Sequence, residues 1–366
     1  MTIFSQIEDF GHEELIFCQN KDVGLRAIIA IHDTTLGPAL GGTRMWPYET
    51  EEEAIVDALR LSRGMTYKST AAGLNMGGGK GVIIGNPKTD KSEALFRAYG
   101  RFVESLKGRF ITGEDMGIDV NDVEYMYMET RYVVGVSPAH GGGGDPAPVT
   151  AFGVMQGLKA CVQEKLGSDS LNGLTVAIQG LGAVGSHLAK LLIDKHVHVI
   201  ATDIDPEKVR RAVDQLEIEA VKPEEIYQVP AEIFAPCALG AIINDETIPQ
   251  FKFKIIAGAA NNQLEDDRHG DELHRREILY APDYVINAGG LINVFVELEG
   301  YDRERALRMT RGIYYNLRRV FQIAREENIP TSQAADKLVE QRIAMVSQLK
   351  SMYTGQGIHR MRWDTK

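Results

Sequence analysis

Two lysines, an aspartate and a glycine-rich turn are the residues of this chain whose types and placement could do chemistry. Lys68 closes the stretch Met65-Thr66-Tyr67-Lys68, and Lys80 stands between Gly77-Gly78-Gly79 and the apolar run GVIIG at 81–85. A lysine between a glycine-rich loop and a short buried strand belongs at the mouth of a sheet. One such lysine holds a substrate carboxylate as a charge partner; the other, once desolvated, has its pKa lowered enough to act as a base. Spacing does not say which is which, and two ordinary surface lysines are the alternative. Asp115 ends the segment RFITGED at 109–115. Carboxyl ends of parallel strands are where ligands collect in open α/β sheets. Glu114 competes with Asp115 for that role, and a loop-capping aspartate is the bland reading. A phosphate-cradling P-loop is excluded, because Leu74 and Gly81 stand where that motif needs a glycine and a hydroxyl residue.

The second constellation is Gly180-Leu181-Gly182-Ala183-Val184-Gly185, a GxGxxG match. Glycines are common, so context decides. LTVAIQ precedes the motif, an amphipathic helix follows, and Asp203 ends the next strand. The first glycine permits a tight turn, the second lets backbone approach a pyrophosphate, and the third lets helix and strand pack closely. The helix N-terminus then offers free N–H donors and a positive dipole end. A carboxylate at Asp203 accepts from a ribose 2′-hydroxyl and repels a 2′-phosphate, so NAD is expected over NADP.

These groups need a βα framework. Segments 25–33, 81–85 and 109–115 read as strands, and 50–69, 92–106 and 120–133 as helices, the first capped by Thr50. The alternation predicts a mostly parallel sheet with helices on its faces. GGGGDPAP at 141–148 interrupts it, as a solvated linker or as a loop lining a cleft. Alternation then restarts: helix 149–166, strand 174–180, helix 185–194, and strands 196–205 and 231–238. From Arg303 to about Leu349 the chain reads as helical, broken near Ile329-Pro330-Thr331.

Bulk numbers narrow the class. The 366 residues suit two domains, with 44% hydrophobic and 25% charged residues. A net charge of −11 argues against nucleic acid or an anionic membrane as partner. Cys18, Cys161 and Cys237 are scattered, which points to reduced thiols in a cytoplasmic protein without a zinc site. His32, His140 and His269 are isolated in sequence, and no cluster with metal-ligand spacing occurs. Neither a signal peptide nor a membrane span is read from the sequence.

The chain resembles the leucine, phenylalanine and valine dehydrogenases of the glutamate dehydrogenase superfamily, the leucine type most of all. The resemblance runs through GPALGGTRMWPY (37–48), RGMTYK (63–68), GGGK (77–80), GEDMG (113–117), DPAPVTAFG (145–153), APCALGAIIND (235–245), IAGAANNQL (256–264) and YAPDYVINAGGLINV (280–294). It implies an α/β fold of two domains with a cleft between them. Residues 1–147 form the substrate domain, with a C-terminal helix of about 331–366 packing back on it, and 148–330 the Rossmann domain. It also implies roles. Lys68 and the backbone around Gly41 bind the substrate carboxylate, with Met65 beside them. Lys80 is the base that activates water, and Asp115 shuttles protons to and from the substrate nitrogen. Asn262 lies near nicotinamide and carboxylate, and Thr150 contacts the nicotinamide amide. Leu40, Gly113, Leu291 and Val294 line the side-chain pocket. An L-amino acid, its 2-oxo acid and ammonium are then the small-molecule partners, in a homo-oligomer, an octamer or a dimer.

One departure bears on the substrate. Leucine-type members usually carry Ala where this chain has Gly113, and Val where it has Leu291; aromatic types carry Gly and Leu. The missing methyl is expected to enlarge the pocket and Leu291 to refill part of it, a difference of about 1–3 kcal/mol in discrimination. Leucine is the first expectation and an aromatic amino acid the second. Glutamate is disfavoured, because the pocket residues offer no cation for a second carboxylate. A non-catalytic NAD-binding regulator is the rival of another class, but it has no need of Lys68, Lys80 and Asp115 together.

Overall fold

The structure, a computed structural model, describes residues 2–351. Two six-stranded sheets organise it. The first holds β1 (Glu14–Asn20), β2 (Leu25–Asp33), β3 (Ala39–Leu40), β4 (Thr43–Trp46), β5 (Gly77–Ile84) and β6 (Phe110–Ile111). Its order is β1-β2-β5-β3-β6, with β4 beside β5. Only β2 runs against the rest, pairing antiparallel with β1 and β5. The second sheet holds β7 (Thr175–Gln179), β8 (His198–Thr202), β9 (Glu219–Ala220), β10 (Ile233–Pro236), β11 (Ile255–Ile256) and β12 (Leu279–Tyr280). It is parallel throughout, in the order β12-β11-β10-β7-β8-β9.

The helices are α1 (Ile3–Phe10), α2 (Glu51–Ala71), α3 (Glu93–Ser105), α4 (Val120–Tyr127), α5 (Ala147–Leu166), α6 (Ala183–Ile193), α7 (Pro206–Gln215), α8 (Asp267–Arg275), α9 (Asp283–Ile286), α10 (Gly289–Glu297), α11 (Arg303–Thr310), α12 (Gly312–Glu327) and α13 (Thr331–Ser347). Thr50 caps α2 as expected: its hydroxyl accepts the Glu53 N–H at 3.2 Å.

Several boundaries differ from the sequence reading, for local reasons. The triple glycine is not a loop. Gly77–Gly79 pair with β2 and β3 and extend β5 backwards, because helix and neighbouring strands press too close for side chains. A Cβ at Gly78 would stand 2.1 Å from the backbone nitrogen of Thr66 on α2. Strand 109–115 shrinks to β6, and the third helix stops at Tyr127 rather than 133. Strands 196–205 and 231–238 likewise shorten to β8 and β10. Helix α5 starts at Ala147, with Pro148 in its first turn, where a missing N–H costs nothing. The C-terminal helical stretch breaks at Ile329-Pro330 and again at Arg311. Its α13 packs on α2: Arg342 donates to the carbonyls of Thr70 at 2.7 Å and Gly73 at 3.3 Å. Residues 352–366, the last part of the expected C-terminal helix, lie outside the described residues.

Two histidines lie buried under α2. His12 Nε2 meets Ser62 Oγ at 2.7 Å, and His32 Nδ1 meets Thr66 Oγ1 at 2.8 Å. Their rings contact edge-to-face with centroids 4.7 Å apart.

Candidate active site

Alternation along β5 decides where Lys80 points. Gly78, Lys80 and Val82 share one face, and Val82 packs there against Ala54 and Ala58 of α2. Lys80 therefore emerges on the α2 side, where Lys68 also lies. On α2 itself Asp57, Met65 and Lys68 recur at helical spacing along one stripe. A cavity of about 860 Å³ opens at this point. Lys68, Lys80, Asp115, Gly41, Met65, Leu40, Gly113, Leu291 and Val294 all line it. Gly144, Asp145 and Pro146 line it too, so the GGGGDPAP segment forms part of the cleft wall.

The polar end of the cavity is a charge network. Lys80 Nζ stands 2.9 Å from Asp115 Oδ2, and Arg44 Nε donates to the same oxygen at 2.9 Å. Glu114, the competing carboxylate, is exposed and does not meet Lys80. Arg44 reaches back to Asp57 at 2.9 Å, and Tyr48 donates to Asp57 at 2.6 Å. No role was expected of Arg44 or Asp57. Arg44 sits on a four-residue strand and meets partners 13 and 71 positions away, so no local pattern marks it.

Burial and charge shape the titrations. Lys80 is 4% exposed. Burial lowers its pKa, and Asp115 opposes that without reversing it. Burial also lowers Lys68, to about 8, against the pull of the Asp283 carboxylate and with the push of Lys80. Burial raises Asp115, but Lys80 and Arg44 outweigh it and hold the carboxyl below its ordinary value.

Gly113 lines the cavity as expected, but its missing methyl does not leave the space expected of it. A methyl there would stand 2.9 Å from the Val134 carbonyl oxygen and 3.2 Å from Val134 Cγ2. The absent methyl does not enlarge the pocket; the 134 segment occupies that space.

Asn262 is not in this cavity. It holds a left-handed φ of 49° and lines a neighbouring space of about 550 Å³ with Asp283. Its loop is tied down by buried Gln263, which donates to the carbonyls of Gly258 at 3.0 Å and Ala260 at 2.9 Å. Thr150, in the first turn of α5, abuts Gly290 on the cavity rim.

The glycine motif lies where the order of the second sheet reverses, between β7 and β10. Gly180, at φ 101°, turns against Ala238 beyond β10, and a Cβ at Gly185 would stand 1.9 Å from the Gly180 carbonyl oxygen. A Cβ at Gly182 would meet open space. Gly182 is also the N-cap of α6 and supplies no side-chain partner, leaving the first-turn donors of Ala183, Val184 and Gly185 aimed outward. That cradle fits a dinucleotide pyrophosphate. The Asp203 side chain is 8% exposed; its oxygens accept the Leu181 N–H at 2.7 Å and the Asp205 N–H at 2.9 Å. It thus shapes the turn as well as offering lone pairs to a ribose.

Family models agree with this layout. Residues 12–132 match the Glu/Leu/Phe/Val dehydrogenase dimerisation domain. Residues 141–207 and 202–344 match the Glutamate/Leucine/Phenylalanine/Valine dehydrogenase domain. The chain belongs to the Glu/Leu/Phe/Val dehydrogenase family. It is similar to leucine dehydrogenase of Geobacillus stearothermophilus, 56% identical over 359 residues, 98% of each chain. Phenylalanine dehydrogenase of Caldalkalibacillus thermarum is 50% identical, covering 96% of each chain. The crystal structure of L-tryptophan dehydrogenase from Nostoc punctiforme superposes with a TM-score of 0.87 at 49% identity, over 95% of this chain and all of that one. This family membership makes the chain an amino-acid dehydrogenase, an oxidoreductase with a two-domain α/β fold. Among the described residues no helix is long and apolar enough to cross a membrane, and no group of His, Cys, Asp or Glu is placed to hold a metal ion.

Proposed function

We propose that the chain catalyses the reversible, NAD-dependent oxidative deamination of an apolar L-amino acid, with leucine as first substrate. The observation that carries this is one cavity lined both by buried Lys80, half-buried Lys68 and Asp115 and by the apolar side chains of Leu40, Leu291 and Val294. The identity to leucine dehydrogenases supports leucine. Gly113 and Leu291, together with the similarity to phenylalanine and tryptophan dehydrogenases, support an aromatic substrate as second reading. Assembly as a homo-oligomer belongs to the same proposal and rests on the match to a dimerisation domain.

Bound along the α6 N-terminus with Asp203 toward its ribose, NAD would supply the hydride acceptor. The remaining chemistry falls to the chain. Lys68 pairs with the substrate carboxylate and fixes the amino acid, and that anion in turn favours the charged lysine. Neutral Lys80 takes a proton from the water that adds to the iminium carbon. Asp115, held anionic by its cationic neighbours, first takes a proton from the substrate ammonium and later returns it to the nitrogen as the C–N bond breaks, so that nitrogen leaves as ammonium. In the reverse direction protonated Lys80 returns its proton, so amination favours lower pH than deamination.

The test is absorbance at 340 nm with NAD and a panel of Leu, Ile, Val, Phe, Trp and Glu. Leucine is expected to lead, and deamination to accelerate from pH 7 toward alkaline pH as Lys80 loses its proton. Turnover of glutamate alone would overturn the substrate class. A deamination rate flat across pH 7–10 would remove Lys80 as the titrating base.

A further inference from the structure

Three segments contribute to the cavity wall beside the charged residues: residues 134–138, residues 144–146 and the start of α10. Each has its own place in the chain, so something must hold them in register. Glu297, the last residue of α10, bonds the first of these segments and Gly143, the residue just before the second. It stands on α10 six positions after Leu291 and three after Val294, its neighbour one turn back. Its Oε2 accepts the Gly135 N–H at 2.7 Å and its Oε1 the Gly143 N–H at 2.8 Å. Burial raises its pKa, and the two N–H donors oppose that.

Both acceptor sites are backed by close contact. A Cβ at Gly143 would stand 2.5 Å from Tyr301 Cε2 and 2.7 Å from Asn293 Nδ2, so that segment lies tight on α10. On the other side Val134, next to Gly135, fills the space a methyl at 113 would need. The position of Val134 is therefore shared between the Glu297 carboxylate behind it and the bare Cα of Gly113 before it.

We propose that Glu297 is a positioning residue that sets the size of the side-chain pocket, by clamping the 134–136 wall and the 143–146 segment to α10. This rests on reading the cavity as the side-chain site of an apolar amino-acid dehydrogenase. Pocket size is then a joint property of Gly113 and Glu297. Loosening the clamp lets the wall retreat, which favours larger side chains.

The experiment measures kcat/KM for Leu, Ile, Val, Phe and Trp in wild type, Glu297→Gln and Glu297→Ala, with the KM for NAD alongside. Gln keeps one acceptor oxygen and turns an amine toward the other N–H; Ala removes both acceptors. The Phe-to-Leu ratio of kcat/KM is expected to rise by about 10-fold in the Ala variant, the scale of one lost charged hydrogen bond, and by less in the Gln variant. KM for the amino acid carries the change, while KM for NAD stays near wild type. An unchanged ratio in both variants, even at a lower overall rate, overturns the proposal, because a merely structural carboxylate lowers all substrates alike. If the Ala variant does not bind NADH, the Gln variant decides. Gly113→Ala supplies the second arm. It is expected to harm leucine turnover in wild type and to harm it less in Glu297→Gln, where the wall can yield; strictly additive effects overturn the coupling. A wild type inactive on every apolar amino acid would instead condemn the functional reading, before any variant is compared.

Discussion

In the proposed function, the glycine turn at 180–185 and the lysine cavity would hold their ligands by opposite means. The turn uses backbone. Its donors come from consecutive residues, and its specificity comes from what is missing, the Cβ atoms of Gly180, Gly182 and Gly185. The cavity uses charge that is wholly or partly buried. Lys68, Lys80 and Arg44 come from three separate elements and Asp115 from the loop after β6, and each is held off its ordinary protonation behaviour by burial and by its neighbours. Backbone sites are local, so they should fail sterically. Charge sites are collective, so they should fail electrostatically and show it in pH dependence.

The sharpest break is at Lys80. Lys80→Ala should lower kcat by about 10² or more, the size of a lost general base, and flatten the alkaline rise in deamination. NADH binding, followed by fluorescence, should barely change, since the turn lies on the other sheet. Wild-type kcat in this variant would end the assignment.

Gly185→Ala tests the other side. Its methyl would meet the Gly180 carbonyl at 1.9 Å, so the turn must open. KM for NAD should rise by about 10-fold or more, while the pH profile of kcat keeps its shape. A shifted profile with an unchanged KM would blur the contrast between the two regions.

Arg44→Gln sharpens it. With Arg44 gone, one of the two cations holding Asp115 down is lost and its pKa rises. Arg44 also lowers the pKa of Lys80 by like-charge repulsion, so the Lys80 limb of the deamination profile should move to higher pH, with kcat at its plateau reduced by about 10-fold. Arg44→Lys should restore part of the shift. A uniform loss of rate with no movement of the limb would make Arg44 a packing residue only.

The smallest effect concerns stability. His12 is buried, and its pKa falls to about 4 by desolvation, with the neighbouring His32 lowering it further. The folded value lies below the unfolded one, so the unfolded chain takes the proton first. The stability gained from neutral His12 is complete above about pH 6.5 and is lost as pH falls toward 4. Denaturant melts across pH 4–7 should show this decline, and His12→Gln should lessen it.

The sequence made the turn legible because its logic is contiguous: strand, glycines, helix and acid follow one another. Lys68, Lys80 and Asp115 were legible as chemistry by type and position, but their mutual geometry was not. Arg44 escaped notice because it lies on a short strand and acts through partners far along the chain. Glu297 escaped because it binds backbone N–H groups, which leave no mark on residue identity. The triple glycine read as a loop because glycine is depleted in strands, and only the packing of α2 explains why this strand needs it. Gly113 shows the converse error: an absent side chain in the sequence reads as a hole, while in the fold a neighbour has moved in.

That glycine strand carries a consequence for heredity. At Gly78 an added methyl would strike the Thr66 backbone, and at Gly81 the Tyr99 and Thr43 hydroxyls at 2.1 and 2.2 Å. The distance between the two helix layers flanking β5 is thus written as an absence, and every missense codon change at these positions adds atoms. A saturation library scored for turnover should show an intolerant band across 77–81, even though four of those five positions offer no side chain to lose. Drift in this enzyme is then free at its surface and barred along one strand where nothing smaller than what is present exists.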